Sequence, residues 1–92
     1  MTKQAFGLEA SVDDQTGGLV AVYLRVREGV VAQTTEVQEG VAYADYDDGG
    51  LLLGLELLGP CQVAVFDRLG QSEPEAIKRF LKGAAPRELV CA

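Results

Sequence analysis

The sequence predicts an α+β domain: an antiparallel β-meander of four or five strands, with one or two C-terminal α-helices packed on one face. Three observations carry this reading. Residues 4–58 alternate apolar and polar positions in short runs separated by Gly-bearing acidic turns. Residues 72–84 switch to a helical period behind an N-terminal stop signal. Ninety-two residues suffice for one small domain with a thin core. The chain divides into a sheet segment (4–58), a helical segment (61–84) and a tail (85–92).

Gln4 to Val12 alternates, with Phe6, Leu8, Ala10 and Val12 on one side and Gly7, Glu9 and Ser11 on the other. This is the pattern of a half-buried strand. Asp13 to Gly18 supplies turn residues. Leu19 to Arg27 is the clearest strand, β-branched and strictly alternating, with Val20, Val22, Leu24 and Val26 on one face. Val30 to Val37 gives a third, more polar strand, and Val41 to Tyr46 a fourth. Asp47-Asp48-Gly49-Gly50 then marks a tight hairpin, because Asp and Gly tolerate positive φ. Leu51 to Leu58 is the fifth strand. Leu51, Leu53, Leu55 and Leu57 share one face, and Leu52, Gly54, Glu56 and Leu58 the other. Such a doubly apolar strand is expected to be central and covered on both sides. A helix is the rival reading of this leucine run, opposed by Gly50, Gly54, Gly59 and Pro60.

Cys61 to Leu69 fits either a helix ending at Gly70 or a strand; helix is the preferred reading. Ser72-Glu73-Pro74-Glu75 has the form of a capping box. Ile77, Phe80, Leu81 and Ala84 follow at i, i+3, i+4 and i+7. A helix this short depends on docking that stripe. The fifth strand is the expected acceptor.

Composition narrows the chemistry. The chain has no His and no Trp, so Ser/His/Asp catalysis, Cys/His catalysis and His-ligated zinc are excluded. The net charge is −6, which disfavours nucleic-acid binding. Residues 1–70 carry −7 and residues 71–92 carry +1, so the acidity belongs to the sheet segment. No signal peptide or membrane span is read. The expected location is the cytoplasm, with Cys61 and Cys91 as reduced thiols; a Cys61–Cys91 disulfide is an open alternative.

Four groups are candidates for a site. Asp45, Asp47 and Asp48, with Asp13 and Asp14, could offer oxygen ligands to a divalent cation, but their spacing is not that of a calcium loop. Solvated turn residues are the favoured reading there. Glu56 stands among leucines and would need Arg25 or Arg27 as partner if buried. Tyr23, Tyr43 and Tyr46 could form a recognition patch or simply pack across strands. Lys78, Arg79 and Lys82 form a basic helix face, too small to hold an anionic surface on an acidic protein. The expected partner-binding set is Tyr23, Arg25, Tyr43, Asp45, Tyr46 and Glu56. No catalytic, cofactor or metal residues are assigned.

Several segments, in order, resemble a known family. Ala21-Val22-Tyr23-Leu24-Arg25-Val26 is similar to the A-L-Y-I-R-L strand of the small bacterial family catalogued as domain of unknown function 2283. Residues 31–37 (VAQTTEV), 40–47 (GVAYADYD) and 54–58 (GLELL) follow that family's V-A-x-T-x-E-V, G-V-x-V-D-Y-D and G-I-E-I-L. The resemblance covers about residues 12–60. It departs at Gly17-Gly18, where an acidic residue is usual, and at Ala44, where a larger aliphatic is common. It implies a meander sheet followed by helix and no assigned catalytic residues. It also implies, for some members, partnership with small toxin-like proteins. The expected function is a non-enzymatic interaction module, antitoxin-like, binding a small basic protein. The alternatives are a carboxylate-based enzyme or ligand-binding protein using Glu56, and a structural homo-oligomer. A homodimer is expected, because a sheet with two apolar faces and one helical cover needs a second cover.

Overall fold

Five strands form one antiparallel sheet in this computed structural model, which describes residues 4–91. They are β1 (Gln4–Val12), β2 (Leu19–Arg27), β3 (Gln33–Gln38), β4 (Ala42–Tyr46) and β5 (Leu52–Leu57). Their spatial order is β1-β2-β5-β4-β3. The sheet is therefore meander-like with one crossover. β1 and β2 form a hairpin, β3, β4 and β5 run as a meander, and β5 returns to pair with β2.

That crossover explains a shift in the third strand. The predicted start was Val30, whereas β3 begins at Gln33. The chain must travel three strand spacings, about 14 Å, from β2 to the far edge. Residues 28–32 are spent on that passage, and Val30 and Val31 are left exposed. The hairpin turns follow the sequence signals. Gly17, Gly40 and Gly50 all have positive φ, a conformation that suits glycine. The Asp13 carboxylate accepts the Gln15 and Thr16 N–H groups, and Asp47 accepts those of Gly49 and Leu51.

The C-terminal segment contains a two-residue strand β6 (Cys61–Gln62), helix α1 (Val63–Gly70) and helix α2 (Glu75–Gly83). A 3₁₀ turn (Arg87–Leu89) and a two-residue strand β7 (Val90–Cys91) follow. β7 pairs in parallel with β6, so the tail folds back beside the start of the helical segment. The capping box does not form. α2 starts at Glu75, so the N-cap position falls on Pro74, which has no side-chain acceptor, and Ser72 lies outside the helix start. Glu73, in the turn before it, takes two hydrogen bonds from Arg27 on its carboxylate. Arg27 also donates to the Leu52 carbonyl at 2.8 Å. This ion pair, 2.7 Å long and 9% and 13% exposed at its two side chains, ties the end of β2 to the turn between the helices.

The two helices lie on one face of the sheet. Val22, Leu24, Leu55, Leu57, Ala42 and Ala44 meet Ile77, Leu81, Phe66 and Val65 in a single core. Each large side chain buried there contributes roughly 1.5–3 kcal/mol. The helical stripe docks as expected, on β2, β4 and β5 together. It touches β1 at Phe6, whose ring stacks on Phe80, and leaves most of that strand open. Phe6, Leu8 and Val12, expected to be half-buried, remain 46%, 46% and 56% exposed. Two short helices span only the middle of a five-stranded sheet.

β5 is central, but it is not apolar on both faces in the way expected. Asp45 pairs with Gly54 and Tyr46 with Leu52, so Leu53 is an extra residue in the ladder. This bulge reverses the alternation. Leu52 joins the core, and Leu53 is buried beneath Gly29 instead. The face opposite the helices carries Gly54 and the exposed Glu56.

Candidate functional site

The uncovered face of the sheet is polar from edge to edge. Backbone pairing aligns one residue from each of the five strands in a single row: Glu9, Tyr23, Glu56, Tyr43, Glu36. Carboxylate and phenol alternate along it. With neighbouring strands about 4.8 Å apart, successive carboxylates stand about 10 Å apart. The adjacent row reads Gly7, Arg25, Gly54, Asp45, Thr34.

Hydrogen bonds order most of these side chains. The Tyr23 hydroxyl donates to Asp45 at 3.0 Å, and the Thr34 hydroxyl donates to the other Asp45 oxygen at 2.6 Å. Tyr23 reaches Asp45 by lying across β5, directly over Gly54. A Cβ at position 54 would collide with the Tyr23 ring. Glycine is thus required here by close approach, and no special φ is involved. Burial, reinforced by the Asp45 carboxylate, pushes the Tyr23 phenol up to about 12.

On the other flank the Tyr43 hydroxyl donates to Glu36 at 3.0 Å, and the Gly40 N–H donates to the same oxygen at 3.0 Å. The Gly40 N–H, then the Tyr43 hydroxyl, hold the Glu36 carboxyl below its usual range. The same bond raises the Tyr43 phenol. Arg25 pairs with Glu9 at 3.3 Å. Glu56, at the centre of the row, is exposed and forms no ion pair among the described residues.

Five of the six residues expected to bind a partner lie on this face: Tyr23, Arg25, Tyr43, Asp45 and Glu56. Tyr46 does not. It faces the helices and packs against the core, opposite Leu52. The three tyrosines therefore form no common patch. Glu56 is not buried among leucines, and neither Arg25 nor Arg27 reaches it; they pair with Glu9 and Glu73. Asp13 and Asp47 are occupied by turn N–H groups, and Asp45 by two hydroxyls. Among the described residues no group of three or more His, Cys, Asp or Glu side chains is placed to hold a metal ion. Lys82 pairs with Asp67 at 3.0 Å and Arg79 with Glu75 at 3.8 Å, as on an ordinary solvated helix face.

Glu9, Glu36, Thr34 and Gly54 belong to the face and were not singled out from sequence. Their alternation placed them on one side of their own strands. Strand order and register brought them together, and no local signal encodes either.

Cys61 and Cys91 are free thiols on the paired strands β6 and β7. Burial, with a smaller contribution from Cys91, pushes the Cys61 thiol up to about 11. A thiol so raised is a weak nucleophile near neutral pH. No helix among the described residues is long and apolar enough to cross a membrane. Compared with known proteins, the chain matches no family model, no curated protein and no solved structure.

Proposed function

We propose that this protein is a non-enzymatic interaction module that receives a small basic protein on the open face of its sheet. The observation that carries the proposal is the row Glu9, Tyr23, Glu56, Tyr43, Glu36. Its chemistry matches cationic side chains in two ways. Carboxylates accept charge-assisted hydrogen bonds from guanidinium or ammonium groups. The intervening tyrosine rings offer faces for cation–π contact and flat apolar area. Four carboxylates and one guanidinium stand on the two rows, and the guanidinium is already paired with Glu9.

The face is ordered before any partner arrives. Asp45 and Glu36 are fixed by hydroxyl and backbone donors, so little side-chain freedom is lost on binding. Glu56, at the centre, has neither an ion pair nor a side-chain hydrogen bond among the described residues. The resemblance to a family with toxin-linked members agrees with an antitoxin-like role in the cytoplasm. Two free thiols suit a reducing compartment.

The test is a pull-down from the source organism's lysate with three baits, repeated at low and high salt. Wild-type protein should retain a small basic protein in stoichiometric amount at low salt and release it at high salt. Glu56→Lys should lose it. Glu88→Lys, which makes the same charge change at an exposed position off the sheet, should retain it. Equal retention by the two variants would reduce the effect to net charge and defeat the assignment to this face.

A further inference from the structure

The two edges of the sheet are finished differently. β3 is six residues long and polar (QTTEVQ), and Arg68 of α1 donates to its Val37 carbonyl at 3.0 Å. Its end is also held by Gln38, whose side chain accepts from the Gln62 N–H at 2.9 Å. β1 is nine residues long and contains no Lys and no Pro, two of the usual guards of an exposed edge; its register with β2 shifts near each end and is regular from Gly7 to Ser11. Among the described residues no strand lies beside its outer side. Its helix-side residues form an apolar strip, Phe6, Leu8, Ala10 and Val12, which stays exposed, the helices touching it at Phe6. Phe6 stacks on Phe80 of α2, with ring centroids 4.8 Å apart, and so marks where the helical cover ends.

A strand with alternating apolar and polar sides satisfies both features at once, and β1 itself is such a strand. We propose that two copies of this chain pair antiparallel through β1, joining their sheets into one ten-stranded sheet. A two-fold axis perpendicular to the sheet keeps both helical layers on one side and sets the two apolar strips against each other. Charge selects the register. Pairing centred on Glu9 would place two carboxylates opposite one another, which is unfavourable. Pairing centred on Ala10 places Leu8 opposite the partner's Val12 and Glu9 opposite the partner's Ser11, a hydroxyl able to donate to the carboxylate. The reason for dimerisation is therefore not a second apolar face, since that face is polar. It is the uncovered flank of one edge strand. The buried area falls at the small end of stable interfaces, on the order of 600 Å² per partner, so micromolar dissociation is expected.

Sedimentation equilibrium tests this. Wild-type protein at about 100 μM, above the expected dissociation constant, should be dimeric and should dissociate on dilution. Leu8→Lys and Val12→Lys each place a charge twice in the interface and should weaken it by at least tenfold. Val63→Lys, at an exposed apolar position on α1, should leave the dimer intact. A wild-type monomer at this concentration overturns the proposal, as does a dimer indifferent to both β1 substitutions. Because a variant could misfold, amide hydrogen exchange on the wild-type chain gives an independent reading. β1 amides should slow as concentration rises, and exchange that ignores concentration overturns the proposal.

Discussion

The two faces of this sheet are built from the same five strands by different means. The helix side is held by burial: Leu24, Leu55, Leu57, Ile77 and Leu81 are fully enclosed. The open side is held by directed polar contacts: Tyr23 and Thr34 on Asp45, and Tyr43 and Gly40 on Glu36. Burial is non-directional and scales with area, whereas the polar contacts depend on register. One face can therefore carry most of the stability and leave the other to present chemistry. Gly54 joins the two. It lies beside Leu55 of the core and beneath the ring of Tyr23.

This division can be broken from either side. The largest effect should come from the core. Leu55→Ala empties a fully buried central site and is expected to cost about 3–4 kcal/mol, read from urea denaturation. A cost below about 1 kcal/mol would mean that burial on the helix side is not dominant. Next is the link between sheet and helices. Glu73→Ala leaves the largely buried Arg27 with only the Leu52 carbonyl, and should cost about 2–3 kcal/mol. Replacing both partners with apolar residues should recover much of that loss.

The open face should respond less. Gly54→Ala forces the Tyr23 ring off its site and is expected to cost about 1–2 kcal/mol. In a Tyr23→Ala background the same substitution should be neutral or stabilising, because alanine is otherwise the better strand residue. A cost that persists without the ring would place the strain in the backbone instead.

The smallest effects are pH-dependent. The Tyr23 phenol is raised in the folded state to about 12, while an unfolded tyrosine titrates near 10. The unfolded chain thus loses its proton first, and stability that is complete below about pH 10 falls as pH rises toward 12. Tyr23→Phe should remove this alkaline slope, followed by thermal melts across that range. Glu36 and Asp13 are lowered instead. Their contribution is present above the ordinary carboxylate range and is lost as pH falls through it. Glu36→Gln should flatten part of that acid slope.

Much of the fold was legible because period is local. The bounds of β1 and β2, the helical stripe at Ile77 and Leu81, and the Asp47–Gly50 turn all follow from residues within one element. The centrality of β5 was also readable, because Leu52, Leu53, Leu55 and Leu57 are too apolar for an edge. What escaped depends on distant partners. The Leu53 bulge reflects how β5 must meet β4. The capping box failed because α2 starts later than Ser72 requires, with Pro74 at the N-cap, and Glu73 pairs with Arg27, forty-six positions away in sequence. The site was legible as residue types and not as an arrangement. Tyr46 was grouped with Tyr23 and Tyr43 by chemistry, although its own alternation put it with Ala42 and Ala44. The row through Glu56 exists only once strand order and register are set.

The position of β5 between β2 and β4 also has a consequence for biosynthesis. Val22 pairs with Leu57, thirty-five positions downstream. The β1–β2 hairpin leaves the ribosome first and finds no partner for its inner edge until β5 emerges. At about 5–20 residues per second that delay is roughly 2–7 seconds. During it Val22, Leu24 and Val26 face solvent, so crowded translation is when this chain is most exposed to aggregation. Slower synthesis of residues 28–51 lengthens that interval, and a chaperone that binds short apolar strands shields it.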